Sequence, residues 1–257
     1  MIPTPGKKIR VMVVDDSILA RSLIIKGLSA NPGIEIVGYA INAMDAKNKF
    51  SKLNPDVMTM DVEMPGMDGI SFLKQFLPEN PVPVILVSSL NLKVFDALSA
   101  GAVDFVRKPD KEGQDAFIET LTQKVLAAAT AKVRPPRPAP AKAANATAAV
   151  NAILSGGKDA PALGAQPSLD NVIIGLGAST GGTEATLEVM KQLPADIPGM
   201  VIVQHMPPGF TAMYAERLNR LCQMEVKEAE NGDEIRRGLA LVAPADLQCK
   251  VVRVGNK

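Results

Sequence analysis

Residues 9–16 read IRVMVVDD, an apolar run that ends abruptly at two aspartates. Similar apolar runs recur at Ile34 to Ala40, Val57 to Met60, Val84 to Val87 and Val103 to Val106, and helical patterns lie between them. Short apolar strands that alternate with helices predict a doubly wound parallel sheet. We therefore expect the first half of the chain to form an α/β domain.

Polar side chains follow four of these predicted strands. Asp15 and Asp16 follow the first, Asp61 the third, Ser88 the fourth and Lys108 the fifth. Because the carboxyl ends of parallel strands meet at one edge of a sheet, these side chains are expected to converge on one crevice.

The chemistry of such a crevice points to phosphoryl transfer. Clustered carboxylates repel one another and favour a hard divalent cation, for which Mg²⁺ is the natural choice. Asp61 can attack phosphorus as a carboxylate nucleophile, while Ser88 and Lys108 can contact phosphoryl oxygens. Each residue alone is ordinary turn chemistry, but their joint occurrence at the correct strand ends predicts a phosphoryl acceptor.

A change of composition separates this region from the rest of the chain. Residues 131–168 contain 12 alanines and 6 prolines but no aromatic residue. They cannot bury much apolar surface, which predicts a flexible linker with a short helix near residues 145–154. The expected organisation is an N-terminal domain at 6–131, a linker at 132–168 and a C-terminal domain at 169–257.

The C-terminal region places a serine and the one histidine of the chain after similar apolar runs. Ser179 follows residues 172–177, and His205 follows residues 200–204. Residues 177–181 read GASTG, the G-x-S-x-G pattern of a nucleophile elbow between a strand and a helix expected at about 183–193. His205 could take the proton of the Ser179 hydroxyl, which suggests a hydrolase pair.

Two other interpretations compete with a hydrolase elbow. Gly175-Leu176-Gly177 begins a dinucleotide-binding G-x-G-x-x-G, but Thr180 stands at the third glycine and no ribose-binding acid follows the next strand. A serine in a glycine-rich turn can also be a turn and nothing more. The order of the two residues also differs from that of an α/β-hydrolase, in which the histidine comes last, after the acid.

The overall composition excludes several classes of protein. A formal net charge of +1 suggests no nucleic-acid partner. No apolar stretch approaches the length of a membrane span, so the protein is not expected to be membrane-inserted. Cys222 and Cys249 form no disulfide framework, and residues 1–10 lack a signal-peptide core, which together favour the cytoplasm.

Longer motifs resemble two known families. Residues 7–131 resemble a two-component receiver domain of flavodoxin-like fold, and residues 171–246 resemble the catalytic domain of chemotaxis protein-glutamate methylesterase. The receiver motifs are VVDDS at 13–17, MDVEMPGMDG at 60–69, VSS at 87–89 and KP at 108–109. The methylesterase motifs are GLGASTGGT at 175–183, QHMPPGFT at 204–211 and VAPAD at 242–246.

The receiver resemblance implies a role for each matching residue. Asp61 matches the phosphorylated aspartate. The matching Mg²⁺ ligands are Asp15, Asp16, Asp61 and the carbonyl of Glu63. Ser88 and Lys108 match the residues that contact the phosphoryl group, and the family's Lys-Pro peptide is typically cis. A chemotaxis histidine kinase is the implied phosphodonor.

The methylesterase resemblance implies a hydrolase. Ser179 matches the catalytic serine, His205 its base, and Thr180 a residue that lines the oxyanion site. The implied substrates are glutamate methyl esters on chemotaxis receptors, with glutamine deamidation as a second activity, and no cofactor is expected in this domain.

One part of the methylesterase pattern has no match. The family's catalytic aspartate lies in a Met-Gly-x-Asp-Gly segment downstream of the histidine, and none follows His205. Most carboxylates after His205 fall in patterns typical of solvated helices and turns, and none of them is nominated as the third catalytic residue. We therefore expect the domain, with a last strand near residues 250–254, to be incomplete at its C-terminus. A phosphorylation-gated hydrolase and a non-enzymatic, phospho-accepting response regulator both remain open.

Overall fold

A computed structural model describes residues 7–89, 94–109, 112–130 and 172–254. They fall into two compact units that divide between residues 136 and 137. The expected linker and its short helix lie outside the described residues, so the domain boundaries stay predictions. No helix in the described ranges is long and apolar enough to span a membrane.

The first unit alternates strands and helices along its whole length. Its elements are β1 (Ile9–Val14), α1 (Ile18–Ser29), β2 (Ile34–Ala40), α2 (Ala43–Leu53), β3 (Val57–Asp61), α3 (Gly69–Phe76), β4 (Val84–Ser88), α4 (Val94–Ser99), β5 (Asp104–Arg107) and α5 (Gln114–Ala128). The strands form one parallel sheet in the order β2-β1-β3-β4-β5. This confirms the flavodoxin-like, doubly wound fold, whose ligand crevice lies outside the carboxyl ends of the strands.

Burial and helix caps explain why these segments adopt this fold. Every residue of β3 and β4 is buried, as expected for strands covered by helices on both faces. The side chains of Ser17 and Asp68 cap α1 and α3 by accepting hydrogen bonds from main-chain amides of the first turn. Both caps lie in loops that leave the carboxyl edge of the sheet, so they fix the backbone beside Asp15 and Asp61.

A buried ion pair joins α5 to β5. Lys124 Nζ lies 2.6 Å from Asp104 Oδ1, and both side chains are at most about one-tenth exposed. Replacing Lys124 with methionine should lower the free energy of unfolding of the first unit by about 3–5 kcal/mol, because it leaves the Asp104 carboxylate buried without its cation. Urea unfolding followed by circular dichroism measures the loss.

The matched double variant, Lys124→Met with Asp104→Asn, should recover much of that stability because no unpaired charge remains. A single variant as stable as the unaltered chain would show that the pair contributes nothing.

The second unit is a smaller parallel α/β unit. Its elements are β6 (Ile174–Ala178), α6 (Gly182–Met190), β7 (Met200–Gln204), α7 (Phe210–Leu221), β8 (Glu225–Glu228) and β9 (Leu239–Val242). All neighbouring strands are parallel, in the order β6-β7-β9-β8. The predicted parallel sheet is therefore confirmed. The prediction of a strand near residues 250–254 is wrong, since these residues pair with no strand in the described ranges.

Burial in this sheet is uneven. Leu187, Phe210 and Tyr214 of the two helices are buried, as are Ile202 and Val242 of the sheet. Near β6, by contrast, Val172 is 44% exposed and Val203 on β7 is 53% exposed. A methyl group added at Gly175 or Gly177 would meet no atom within 4 Å. Val251 is likewise 54% exposed, whereas Leu241 on β9 is buried.

Candidate functional site

The first crevice lies at the carboxyl ends of β1, β3, β4 and β5. Lys108 Nζ lies 2.5 Å from Asp61 Oδ2 and 2.9 Å from Asp15 Oδ2. The amide of Lys108 donates to the carbonyl of Ser88, a buried residue at the end of β4. The structure therefore brings together side chains that are up to 93 residues apart in sequence.

Burial and pairing act in opposite directions on the ionisation of this crevice. Burial raises the pKa of Asp61 above its usual value, and the hydrogen bond from Lys108 only partly offsets this effect. Burial alone would lower the pKa of Lys108, but the hydrogen bonds to Asp61 and Asp15 outweigh it and raise that pKa. Lys108 is thus held as a cation against the two carboxylates.

The crevice also suits a divalent cation. Carboxylate oxygens of Asp15, Asp16 and Asp61 lie within 4.8 Å of one another. Asp15 and Asp61 are buried while Asp16 is exposed, so the cluster faces solvent on one side. Clustered oxygen ligands with room for retained waters match the preferences of Mg²⁺.

Two further features hold the loop that follows Asp61. The amide of Glu63 donates to Asp61 Oδ1 at 3.1 Å, which orients the carboxylate, while the predicted metal contact of the Glu63 carbonyl stays a prediction. Gly69 approaches so closely that a methyl group added there would lie 2.6 Å from the carbonyl oxygen of Asp61. The Lys108–Pro109 peptide is trans, so the cis expectation is wrong here; trans is the lower-energy form of most X–Pro bonds.

We expect Asp16→Ala to weaken Mg²⁺ binding more than Asp15→Ala does. The Asp15 carboxylate is already engaged by the amide of Ser17 at 2.9 Å and by Lys108, whereas the Asp16 side chain is exposed and open to a cation. Calorimetric titration with Mg²⁺ ranks the two variants, and Asp115→Ala on the surface of α5 is the control. The reverse order would show that the contacts of Asp15 with Ser17 and Lys108 do not limit its binding of Mg²⁺.

The second candidate site lies where β6 and β7 end. Ser179 directly follows β6 and His205 directly follows β7, and the amide of His205 donates to the carbonyl of Ala178 at 3.2 Å. Both residues line one open cavity of about 720 Å³. The structure therefore brings together the two residues expected to form the hydrolase pair.

The turn after Ser179 leads into a helix, as the elbow pattern predicts. Gly181 has a φ of 75°, a left-handed conformation that favours glycine, and α6 begins at the next residue. The expected helix at 183–193 thus starts one residue earlier and ends at Met190. Thr180 lies in this turn, but it is not among the residues that line the cavity.

The loop after β9 closes another side of the cavity. It contributes residues 243–249, and among these Asp246 is the one carboxylate in the lining. Within the described ranges, the imidazole of His205 has no hydrogen bond to Asp246 or to any other carboxylate. Thr211 holds this loop, because its hydroxyl accepts from the amide of Ala245 at 3.3 Å and bonds to Glu228 at 2.5 Å.

Two contacts from α7 hold the first turn of α6, which directly follows the serine turn. The hydroxyl of Tyr214 donates to the carbonyl of Thr183 at 3.1 Å, and Arg217 pairs with Glu184 at 2.8 Å. Burial raises the pKa of Tyr214, so its hydroxyl stays protonated. Burial also raises the pKa of Cys222, which makes its thiol a poor nucleophile.

Sequence reasoning did not single out Gln204. It is the last residue of β7, it is buried, and its side chain bonds to the main chain of Ser179 and His205. The available signal was a polar residue at the end of an apolar strand, beside the histidine.

Comparison with known proteins agrees with this two-part arrangement. A family model for the CheB methylesterase matches residues 174–257, and one for the response regulator receiver domain matches residues 11–118. Among solved structures, the response regulator domain of Thermotoga maritima CheB is 36% identical, with a TM-score of 0.47 over 49% of this chain and 99% of that one. The T. maritima CheB methylesterase catalytic domain is 44% identical, with a TM-score of 0.28 over 29% of this chain and 40% of that one.

Two curated relatives extend the similarity over almost the whole chain. Both are named protein-glutamate methylesterase/protein-glutamine glutaminase. The protein from Salmonella typhimurium is 42% identical over 96% of this chain and 68% of its own length. The protein from Syntrophotalea carbinolica is 48% identical over 97% of this chain and 70% of its own length. The chain therefore belongs to the protein-glutamate methylesterase/protein-glutamine glutaminase family, with a receiver domain followed by a CheB methylesterase domain.

Proposed function

We propose that the protein is a phosphorylation-regulated serine hydrolase that removes methyl esters from glutamate side chains of chemotaxis receptors and deamidates glutamines. The observation that carries the proposal is the placement of Ser179 and His205 at adjacent strand ends on one cavity. The names of the relatives from Syntrophotalea carbinolica and Salmonella typhimurium support the substrate class.

The hydrolytic step follows from the chemistry of the two side chains. Ser179 Oγ attacks the ester carbonyl while His205 takes the hydroxyl proton, which gives a tetrahedral oxyanion. The main-chain amides of the turn at Thr180 are the proposed donors to that oxyanion. As the carbonyl re-forms, the C–O bond to the methoxy group breaks and the imidazolium gives its proton to the departing oxygen, which leaves as methanol. Water then attacks the acyl-serine with His205 as base, which releases glutamate.

The receiver domain supplies the regulation. In the proposed reaction Asp61 attacks the phosphoryl group of a phosphohistidine on a chemotaxis histidine kinase, and the bond from phosphorus to the imidazole nitrogen breaks. Bound Mg²⁺ would neutralise the charge of the phosphoryl group, held by Asp15, Asp16, Asp61 and the Glu63 carbonyl. Lys108 and Ser88 would contact phosphoryl oxygens. Phosphorylation at Asp61 is proposed to make the cavity lined by Ser179 accessible to the substrate.

The remaining attributes are proposals of the same kind. We place the protein in the cytoplasm, since both cysteines are free thiols and a chemotaxis kinase acts there. The hydrolase domain is proposed to need no cofactor, because a serine and an imidazole suffice for ester hydrolysis.

The test of the proposed function is methanol release from a methylated chemoreceptor, measured with enzyme and substrate at equal concentrations so that slow turnover is counted. The unaltered chain should release methanol, and Ser179→Ala should release none above background. Ser51→Ala, an exposed serine on α2, should behave as the unaltered chain. Equal release by the Ser179→Ala variant would refute the assignment of the nucleophile.

A further inference from the structure

The side chain of Gln204 connects the two main-chain segments that carry Ser179 and His205. Its Nε2 donates to the carbonyl oxygen of Ser179 at 3.0 Å and lies 3.4 Å from the carbonyl oxygen of His205. The residue is only 7% exposed. A single buried amide group therefore joins the two segments.

The hydrogen bond from Gln204 to Ser179 lies where the regular pairing of β6 and β7 ends. The ladder between β6 and β7 runs from Ile174↔Met200 to Ala178↔Gln204, so Ser179 is the first residue beyond it. Past that point one further main-chain bond joins the segments, from the amide of His205 to the carbonyl of Ala178. The Gln204 side chain extends the connection by one residue, to Ser179 itself.

The neighbouring glycine makes room for this amide. A methyl group added at Gly182 would lie 2.5 Å from Gln204 Oε1 and equally close to Ala178 Cβ, and Cβ atoms in proteins essentially never come so near another atom. Gly182 does not have a positive φ, so space rather than backbone conformation favours glycine here. The amide of Gly182 also donates to the carbonyl of Ser179 at 2.7 Å, so Gln204 and Gly182 hold the same atom.

Packing alone does not account for a glutamine at this position. Gln204 Oε1 is buried and has no hydrogen-bond partner among the described residues. A buried oxygen without a partner is unfavourable, so an apolar side chain of the same size would fill the space better. The amide is useful here through its N–H groups, which reach the Ser179 carbonyl.

We propose that Gln204 is a positioning residue for the Ser179–His205 pair. It fixes the main chain of the serine turn against the main chain of the histidine, so that the hydroxyl and the imidazole open onto one cavity. The proposal rests on the proposed function, in which these two side chains react with the substrate. It assigns Gln204 no contact with the substrate.

The test compares Gln204→Glu and Gln204→Leu in the full 257-residue chain. Glutamate has the same shape but, when ionised, cannot donate to the Ser179 carbonyl and repels it. Leucine removes both the donor and the charge. Gln192→Glu is the matched control, because the exposed Gln192 side chain also donates to a main-chain carbonyl, that of Glu188 at 3.0 Å.

Two measurements report on the positions of the paired residues. Hydrogen exchange follows the main-chain amides of residues 179–183. Proton NMR follows the imidazole of His205, which gives a single set of signals in a tag-free chain because it is the one histidine. Both are made at pH 7.5 and at pH 5, with exchange corrected for its intrinsic dependence on pH.

At pH 7.5, Gln204→Glu should speed exchange at residues 179–183 about tenfold, the factor that corresponds to one lost hydrogen bond, and should move the His205 signals. At pH 5 both effects should shrink, because a buried carboxyl is protonated at higher pH than an exposed one and its O–H can then donate to the carbonyl. Gln204→Leu should show the effects equally at both pH values, and Gln192→Glu should show neither.

The proposal would be overturned if Gln204→Leu changed neither the hydrogen exchange of residues 179–183 nor the NMR signals of His205. Effects of Gln204→Glu that do not depend on pH would also overturn it, since they would mean that altered packing, not the lost donor, is the cause. If Gln204→Glu lacks a cooperative unfolding transition of the second unit, Gln204→Leu decides alone. These readouts involve no substrate, so they can succeed or fail independently of methanol release by Ser179.

Discussion

The Asp61→Asn chain should form no acyl phosphate when it is incubated with a small phosphodonor and Mg²⁺. Asp61 is the one carboxylate that combines the end of β3, contact with Lys108 and a place in the acidic cluster from which it can attack phosphorus. Asp15 is bound by the amide of Ser17, and Asp16 is exposed beyond the end of β1. Labelling with radioactive phosphodonor, or intact mass, measures the loss, which should be complete.

Asp115→Asn is the control for this variant, because it removes an exposed carboxylate on α5 and leaves the crevice intact. It should be labelled to the same extent as the unaltered chain. Undiminished labelling of Asp61→Asn would mean that another side chain accepts the phosphoryl group.

The second large effect concerns turnover in the hydrolase domain. Residues 1–257 should hydrolyse receptor methyl esters about four orders of magnitude more slowly than a chain in which an aspartate orients the histidine, because that is the typical loss when this aspartate is removed from a serine hydrolase. The reason lies in the site: within the described ranges, no carboxylate accepts a hydrogen bond from the imidazole of His205, so none orients the ring.

The comparison uses a chimera in which residue 257 is followed by a C-terminal segment of the family that carries Met-Gly-x-Asp-Gly. The chimera should be fast and should lose its activity on Ser179→Ala, while the 257-residue chain should stay slow whether or not Asp61 is phosphorylated. Fast, Ser179-dependent turnover by the 257-residue chain would show that a carboxylate already present completes the site. Asp246→Asn would then test the one candidate that lines the described cavity.

The sequence allowed the main chain of both sites to be predicted well. Parallel strands all point their carboxyl ends to one edge, so locating the apolar runs was enough to bring Asp15, Asp61 and Lys108 together. The same argument placed Ser179 and His205 at one edge of a second sheet, while the pairing of their strands, β6 and β7, is known from the structure. These predictions depend on strand direction, which follows from the alternation of strands with helices along the chain.

Features that depend on tertiary contacts could not be predicted in this way. The partners of Gln204 are main-chain atoms, which carry no sequence signal. The apolar residues near 250–254 have the pattern of a strand, but a strand also needs a neighbour to pair with, and the pattern does not supply one. Similarly, Val203 on β7 is 53% exposed while Leu241 on β9 is buried, because a strand's place in the sheet decides which of its apolar residues the helices cover.

The contact of Lys108 with two carboxylates has a consequence for the charge of the receiver crevice. Three aspartates and one lysine leave it with two surplus negative charges, which a single divalent cation would cancel. Converting the Asp61 carboxylate to an acyl phosphate then adds about one negative charge. The signalling event, in these terms, is the appearance of roughly one uncompensated charge at a site that was neutral. Lys108, with its flexible four-carbon stem, can move toward that charge without a change in the sheet.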